Sequence, residues 1–333
     1  MMAKKISGKT VVVTGASAGL GRAIVREFAK HAVQIGLIAR GKEGLEGAKK
    51  DVEKLGSIAL AVEADVSDAQ QLEYAAKRIE RELGAIDIWI NNAMVSVFGS
   101  FTSITSEEFK RVTEVTYLGQ VYGTREALKS MTRRNKGTII LIGSALAYRG
   151  IPLQSAYCGA KHGIHGFFES VRSELIHEKS KVNLCMIQMP AMNTPQFESV
   201  RNKLSNKPRP MGTIYEPELA AKAVMFVARH PQREVKVGYP TFESIIGNKF
   251  LPAYMDYYLA NKGYNGQQTS EVVDPNKEDN LWSPLSGDLG THGAFTSQST
   301  DSSPLLWAER HKWIVFGAAM TLAGLAGWLM KRK

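Results

Sequence analysis

Short apolar segments that alternate with helical patterns constrain the fold of this 333-residue chain more than any other feature. The segments are rich in β-branched residues and lie at 10–13, 33–39, 58–62, 86–90, 138–142, 182–189 and 235–237. Between them, apolar residues recur at helical spacing, as in 155–177 and Pro217–Arg229. Strands that alternate with helices at this rhythm predict an α/β fold with a parallel sheet and right-handed crossovers.

The turn after the first apolar segment reads TGASAGLG from Thr14 to Gly21 and is a candidate phosphate-binding site. Glycines let the backbone approach a pyrophosphate, and the amides and dipole of a helix N-terminus meet its charge. The spacing is G-x-x-x-G-x-G, not the G-x-G-x-x-G of the general dinucleotide fingerprint. A tight turn from strand to helix can also need glycine for structural reasons alone. The residues of the turn that we expect to bind a dinucleotide are Gly15, Ser17, Ala18, Gly19, Leu20 and Gly21.

The second strand ends at Arg40 without a carboxylate, which favours NADP(H) over NAD(H). An NAD-selective site usually has an acid there for the ribose 2′-hydroxyl, whereas a guanidinium suits a 2′-phosphate. Arg22 is a candidate second cation. The alternative interpretation of Arg40 is a solvated cation at the end of a strand.

Two further strand ends carry polar residues that can face a nucleotide. Asp65, followed by Val66, is placed to meet the adenine edge, although an acid near a helix start is also expected for the helix dipole alone. Ser67 can cap the helix that follows. Asn92, followed by Ala93, can bond neighbouring backbone and stabilise its turn while leaving room for the nucleotide.

The segment 138–168 contains the candidate catalytic residues Ser144, Tyr157 and Lys161. Ser144 follows the strand at 138–142, at the edge where open α/β sheets bind ligands. Tyr157 and Lys161 are four residues apart and therefore share one helix face. A nearby ammonium lowers the pKa of a phenol, and a serine hydroxyl aimed at the same point can hold a substrate oxygen. A tyrosine and a lysine at this spacing can also be an ordinary surface pair.

With these residues assembled, the first 240 or so residues resemble the short-chain dehydrogenase/reductase family. The resemblance rests on TGASAGLG, Asp65-Val66, the NNA of residues 91–93, Ser144 with Y-x-x-x-K from Tyr157 to Lys161, and the loop from Pro190 to Thr194. It implies a Rossmann-type doubly wound sheet of strand order 3-2-1-4-5-6-7, within three αβα layers.

The resemblance also implies a role for each matching residue. Tyr157 is the proton donor or acceptor, and Lys161 lowers its pKa and holds the nicotinamide ribose. Ser144 positions the substrate oxygen. Pro190 begins a loop at the cofactor, and Thr194 in that loop contacts the nicotinamide carboxamide.

Three positions depart from the family pattern. Thr116 stands where the family has a fourth catalytic residue, an Asn that distorts its helix so that its backbone carbonyl holds a water linking the Lys to solvent. Thr116 can preserve the carbonyl but not the amide. Met94 and Ala191 replace glycines that often follow NNA and Pro190, and both add bulk near the cofactor.

Composition argues against several classes of function. The net charge of +10 could attract nucleic acid or anionic lipid. Because the sequence has no arginine-rich helix and no basic segment interleaved with aromatics, we expect no nucleic-acid partner. The cysteines, Cys158 and Cys185, are too few for a disulfide framework, and no N-terminal run resembles a signal peptide. We therefore expect a cytoplasmic catalytic domain, and no metal site.

The C-terminal part departs from the α/β pattern, which predicts a catalytic domain at 1–255, an irregular polar extension at 256–304 and a hydrophobic helix at 305–333. The uncharged run 313–330 has basic flanks, a Trp near each end and a stripe of small residues, which favours a membrane anchor. The alternative is a buried helix that completes a soluble dimer. The polar stretch 196–211 is either a mobile lid over the active site or a surface loop.

The sequence therefore predicts an NADP(H)-dependent oxidoreductase that interconverts a carbonyl and a secondary alcohol, with an apolar small molecule as substrate. A homo-oligomer, either a dimer or a tetramer, is also expected. One alternative is a membrane-tethered sensor or scaffold that binds NADP(H) without turnover, which Thr116 favours. Another is a dehydratase or epimerase on the same fold, which returns the hydride and leaves no net change in the cofactor.

Overall fold

The computed structural model, which describes residues 4–274 and 276–311, has a seven-stranded parallel sheet at its centre. In chain order the strands are β1 Thr10–Thr14, β2 Gln34–Ala39, β3 Ile58–Glu63, β4 Ile86–Asn91, β5 Gly137–Ile142, β6 Val182–Gln188 and β7 Glu234–Lys236. Their order across the sheet is β3-β2-β1-β4-β5-β6-β7, and every neighbouring pair is parallel. The predicted topology is confirmed.

Helices cover both faces of this sheet. They are α1 Gly19–Ala29, α2 Lys42–Lys54, α3 Ala69–Leu83, α4 Ser106–Val112, α5 Gly119–Met131, α6 Ser155–His177, α7 Gln196–Ser199, α8 Pro217–Arg229, α9 Tyr239–Phe250, α10 Pro252–Gly266 and α11 Pro304–Arg310. On one face α1 packs against α2 and α8, and on the other α5 packs against α3 and α6. The three-layer αβα arrangement is therefore confirmed.

Two apolar cores lie on the two faces of the sheet, and alternate residues of a strand belong to different cores. In β1, Val11 and Val13 join the core that includes α1 and α8, whereas Val12 joins the core that includes α3 and α6. All three are fully buried. Burial on both faces explains why β1 and β5 are continuous apolar runs rather than alternating patterns.

Capping side chains set the start of α3 and α4. The carboxylate of Asp68 accepts hydrogen bonds from the backbone of Gln70 and Gln71, so Asp68, and not the predicted Ser67, caps α3. Ser67 donates its hydroxyl to Asp65 instead. Thr105 caps α4 through a capping box, and a π-helical turn, Thr113–Leu118, joins α4 to α5.

The segment after β7 contains more regular structure than its sequence pattern predicts. Irregular backbone was expected from residue 256, but α10 continues to Gly266, with Leu259 buried and Gly263 against the ring of Pro152. Three short strand pairs lie outside the main sheet: Val97–Phe98 with Arg201–Asn202, Asn206–Pro208 with Gln268–Val272, and Ile214–Tyr215 with Ser299–Thr300. Two parts of the stretch 196–211, residues 201–202 and 206–208, are thus paired in short strands with other segments. The boundaries of the three predicted units stay predictions.

Within residues 4–274 and 276–311, no helix combines the length and the apolar character that crossing a bilayer requires. The predicted membrane anchor at 313–330 lies outside the described residues.

Candidate active site

The carboxyl ends of β1 to β6 open into one cavity of about 660 Å³. Nearly all the residues predicted from the sequence line it: Gly15, Ser17, Ala18, Gly19, Leu20, Gly21, Arg40, Asp65, Val66, Asn92, Ala93, Ser144, Tyr157, Lys161, Pro190 and Thr194. Thr116 is not among the lining residues. Since these positions span most of the chain between residues 15 and 194, the parallel sheet has brought them to one edge.

The glycine-rich turn is shaped by its contact with the end of β4. Gly15 has φ +65°, and a Cβ there would lie 2.8 Å from the Cα of Ala93. A Cβ on Gly21 would collide with the carbonyl oxygen of Gly15. The Thr14 hydroxyl accepts from the backbone N–H groups of Asn92 (2.9 Å) and Ala93 (3.1 Å). The result is a side-chain-free cradle at the start of α1, which fits a pyrophosphate.

Asp65 and Arg40 lie at the ends of adjacent strands and have different partners. Burial alone would raise the pKa of Asp65, but hydrogen bonds from Arg111 and Ser67 lower it below its ordinary value. Asp65 is therefore an ionised carboxylate that is already paired. Arg40 donates to backbone carbonyls of residues 280–282, which are neutral, so its charge is not cancelled by these contacts.

Arg22 does not provide the second cation expected from the sequence. Its side chain is buried and binds the carboxylates of Asp51 (2.9 Å) and Asp288 (3.1 Å). It also donates to the carbonyl oxygens of Ser17 and Gly44. With its donors used and its charge balanced, Arg22 is a structural residue behind the glycine-rich turn.

Ser144, Tyr157 and Lys161 come together at the other end of the cavity. The Nζ of Lys161 lies 5.5 Å from the centroid of the Tyr157 ring and donates to the carbonyl oxygen of Ile142 (2.7 Å). All three residues are at least nine-tenths buried. The predicted constellation therefore faces one space, where a substrate oxygen can reach both hydroxyls.

Burial governs the protonation of this group. Desolvation raises the pKa of Tyr157 above its ordinary value, and a hydrogen bond with Ser144 offsets part of the rise. Desolvation also lowers the pKa of Lys161 to about 7. The sequence argument predicted a lowered pKa for Tyr157, and the structure differs because Lys161 is itself desolvated and points to Ile142. Tyr157 is thus a protonated phenol at neutral pH.

A network behind Ser144 was missed by the sequence argument. The side-chain oxygen of Gln188 accepts from the backbone N–H of Ser144 (2.8 Å), and its amide donates to Glu234 (2.9 Å). Glu234 also accepts from the Tyr148 hydroxyl (2.6 Å). A Cβ on Gly143 would collide with Gln188. The signal in the sequence was a single polar residue at the end of the apolar run VNLCMIQ.

Thr116 lies inside the π-helical turn between α4 and α5 and is fully buried. Its hydroxyl donates to the carbonyl oxygen of Val95 (2.8 Å) and accepts from the N–H of Val95 (3.0 Å). The helix is therefore distorted at this position although the residue is Thr. The hydroxyl ties the distorted turn to the segment after β4.

Apolar and aromatic residues of α7, of the loop after it, of α10 and of the loop before α6 also line the cavity: Ile151, Phe197, Met211, Tyr254, Met255 and Leu259. Arg149, Gln154, Arg209 and Glu243 line it as well. Met94 and Ala191, which depart from the family pattern, also line the cavity. The chemistry that this arrangement supports is proton transfer at a substrate oxygen, beside a cradle for a dinucleotide.

Known proteins with similar sequences are described as dehydrogenases, oxidoreductases or reductases. A sequence model described as short chain dehydrogenase matches residues 9–205. The chain is 31% identical over 332 residues to the uncharacterized oxidoreductase YxnA of Bacillus subtilis, covering 99% of this chain and 92% of the relative. It is 32% identical over 234 residues to the 3-dehydrosphinganine reductase of Danio rerio, covering 66% and 68%.

The fold is also similar to that of a solved structure. An alcohol dehydrogenase from the archaeon Thermococcus sibiricus, complexed with 5-hydroxy-NADP, matches with a TM-score of 0.60 and 26% sequence identity. The match covers 69% of this chain and 95% of that chain.

Replacing Lys161 with Met should stabilise the protein in the absence of cofactor. Because the pKa of Lys161 falls from 10.5 to about 7 on burial, the unfolded chain holds the proton more tightly than the folded one. The penalty is full below about pH 7 and disappears as the pH rises towards 10.5. We expect Lys161→Met to raise the melting temperature at neutral pH by at least ~3 °C, with a smaller difference at alkaline pH.

Thermal unfolding across this pH range measures the effect, and the exposed Lys54→Met on α2 is the matched control. A lower melting temperature for Lys161→Met at every pH would contradict the argument, since the bond to Ile142 would then outweigh the cost of burial.

Proposed function

The chain belongs to the short-chain dehydrogenase family, and from that premise we propose that it is an NADP(H)-dependent oxidoreductase that interconverts a carbonyl and a secondary alcohol. The observation that carries the proposal is one cavity with a glycine cradle at one end and Ser144, Tyr157 and Lys161 at the other. A binding module would need only the cradle. Ser144, Tyr157 and Lys161 add a proton donor and a hydroxyl that can orient the substrate oxygen.

In this proposal Tyr157 is the acid that protonates the substrate oxygen during carbonyl reduction. Its raised pKa keeps the phenol protonated at neutral pH, so the proton is present at the hydroxyl when a carbonyl arrives. Ser144, whose backbone is held by Gln188, orients the same oxygen. A bound nicotinamide supplies the hydride.

Lys161 has two roles in the proposal. Its charged form favours the phenolate that Tyr157 becomes after it gives up a proton, because an ammonium nearby stabilises an anion. With a pKa of about 7, Lys161 can also take up or release a proton near neutral pH. Holding the nicotinamide ribose is the role implied by the family.

The preference for NADP(H) over NAD(H) rests on Arg40. A guanidinium follows β2, and no carboxylate occupies residues 39–41 to receive a ribose 2′-hydroxyl. Asp65, at the next strand end, is already paired with Arg111. The similar archaeal alcohol dehydrogenase was solved with an NADP derivative, which supports the same preference.

The proposed substrate is an apolar ketone or the corresponding alcohol. The lining of the cavity exposes more apolar than polar surface, and Ile151, Phe197, Met211 and Leu259 contribute to the apolar part. One relative is named for reducing 3-dehydrosphinganine, a name that supports a ketone substrate here.

Of the two other functions that the sequence left open, the sensor without turnover depended on Thr116. This residue lies in a π-helical turn and its hydroxyl bonds the backbone of Val95, so the distorted helix is present without the family's Asn, which supports the enzyme over the sensor. A dehydratase or epimerase is distinguished by assay, since NADPH absorbance would not change while the substrate is converted.

Replacing Tyr157 with Phe should abolish turnover and leave NADPH binding within about twofold, because only the hydroxyl that carries the proton is lost. Absorbance at the NADPH band, with a panel of apolar ketones, measures turnover, and fluorescence titration measures binding. Tyr74→Phe, on the exposed face of α3, is the control. Unchanged turnover in Tyr157→Phe would remove Tyr157 from the mechanism.

Replacing Arg40 with Asp should reverse the cofactor preference. The new carboxylate repels a 2′-phosphate and can accept from a 2′-hydroxyl, so we expect kcat/KM for NADPH to fall by about tenfold or more relative to NADH. Arg133→Asp makes the same change of charge at an exposed position before β5. Equal use of both cofactors by the wild type would overturn the proposed preference.

We also propose that residues 313–330 attach a cytoplasmic catalytic domain to a membrane, as an uncharged run between basic flanks. A chain ending at His311 should move from the membrane fraction to the supernatant while the full chain stays with the membrane. This end point keeps α11, whose Leu306 is buried in the core. A full chain found wholly in the supernatant would refute the anchor. The homo-oligomer stays a prediction.

A further inference from the structure

The part of the extension from 279 to 298, here called the strap, lines the cavity and contacts the glycine-rich turn. Asn280, Pro284, Leu285, Gly287 and Leu289 line the same cavity as Gly15 and Arg40. The strap thus forms a second wall at the end of the cavity where a dinucleotide's phosphates are expected. No residue of the strap takes part in the proposed proton and hydride transfers.

Both ends of the strap are firmly attached. At one end Asp279 pairs with Arg201 (2.9 Å), the N–H of Asn280 donates to the carbonyl of Ser199 (2.8 Å), and the Leu281 side chain is fully buried. At the other end Phe295 is buried, and its N–H donates to the side chain of Asn193 (3.0 Å). The strap is therefore a built part of the fold.

Near its first end the strap holds Arg40. Nη1 of Arg40 donates to the carbonyl oxygens of Trp282 (3.0 Å) and Leu281 (3.4 Å), and Nη2 donates to that of Asn280 (2.5 Å). A guanidinium has five N–H donors. Among the described residues no acceptor bonds Nε, so the edge made by Nε and the second hydrogen of Nη2 is available. That edge can bind a phosphate through two parallel hydrogen bonds.

The middle of the strap contacts the start of α1. The carbonyl oxygen of Gly290 accepts from the N–H of Gly19 (2.9 Å), the first residue of that helix. Asp288 pairs with Arg22, directly behind the glycine-rich turn. Gly287 and Gly290 have positive φ, so the strap turns at two residues suited to that backbone.

We propose that the strap is a specificity-determining wall of the dinucleotide site: its first end fixes Arg40 to receive the cofactor's 2′-phosphate, and the cofactor enters and leaves only when its middle lifts from α1. The proposal rests on the proposed function, since it assumes a dinucleotide ligand. Free backbone N–H groups at the start of a helix can donate to a phosphate, and the carbonyl oxygen of Gly290 occupies one such group, the N–H of Gly19. The attached ends keep Arg40 in place while residues 284–290 move.

A reversible crosslink tests the movement. An ideal Cβ on Gly41 lies 3.2 Å from the Cβ of Pro284, a few tenths of an ångström shorter than the separation in a disulfide, so a small shift of the strap lets Gly41→Cys with Pro284→Cys crosslink it to the start of α2. The native Cys158 and Cys185 are buried and do not compete. The oxidised and reduced forms of the same full-length double variant are compared, which separates movement from any effect of the substitutions.

We expect NADPH association and release, followed by stopped-flow fluorescence, to be about tenfold or more slower in the oxidised form and restored by dithiothreitol. Equal rates in the two forms would overturn the strap proposal and leave the proposed function intact. Failure of the two cysteines to crosslink would also overturn it, because the closed position requires their approach. If neither form bound NADPH or NADH, the proposed function itself would fall.

A second experiment tests whether the strap sets the preference for NADPH over NADH. Asp279→Ala loosens the first end of the strap by removing the pair with Arg201, and Asp301→Ala is an exposed control beyond its second end. We expect Asp279→Ala to weaken NADPH binding by about threefold or more and leave NADH binding unchanged, since only the 2′-phosphate contact depends on Arg40. An equal loss for both cofactors would show that the strap does not set selectivity.

Discussion

Burial of β1 on both faces of the sheet is the constraint on which the rest of the structure depends. A strand covered on both sides must bond to neighbours along its whole length, and β1 pairs with β2 and β4. Where β1 ends, the chain has to turn at once into α1, against the end of β4. The close approach of Gly15 to Ala93, and the two hydrogen bonds to Thr14, follow from that pairing. The packing that forms the core therefore also shapes the cradle.

Arg22, Arg40 and Lys161, three of the cations near the cavity, differ in how their charge is balanced. Arg22 is buried against two carboxylates, so it stabilises the turn without attracting a ligand. Arg40 is held by neutral carbonyl groups, which fix its direction and leave its charge in place. Lys161 is buried with only a carbonyl oxygen as acceptor, which is costly for an ammonium and lowers its pKa.

The sequence could predict the sheet because its signals are local and repeated. Apolar runs buried on both faces are visible one strand at a time, and parallel topology then brings their carboxyl ends together. Ser144, Tyr157 and Lys161 were predicted from their match to the family pattern, because a Tyr and a Lys four residues apart can also be an ordinary surface pair. The partners of Arg40 were not, because they are backbone carbonyls about 240 residues further along the chain, which no side-chain pattern encodes. The lowered pKa of Lys161 was also hidden, since it depends on burial that only packing produces.

The carbonyl oxygen of Ile142 has two donors, which allows the buried Lys161 to change its hydrogen-bond partner. It accepts from Lys161 (2.7 Å) and also from the side-chain amide of Gln120 (3.1 Å), which lies one turn beyond Thr116 on the continuing helix. A carbonyl oxygen with two donors keeps one when the other leaves, so Lys161 can turn towards a nucleotide without leaving a buried acceptor unpaired. Thr116 holds the turn that precedes Gln120 to Val95. Thr116, one of the three positions that depart from the family pattern, is therefore linked to the surroundings of Lys161: its hydroxyl holds the turn, and the amide of Gln120 shares the carbonyl oxygen that Lys161 contacts.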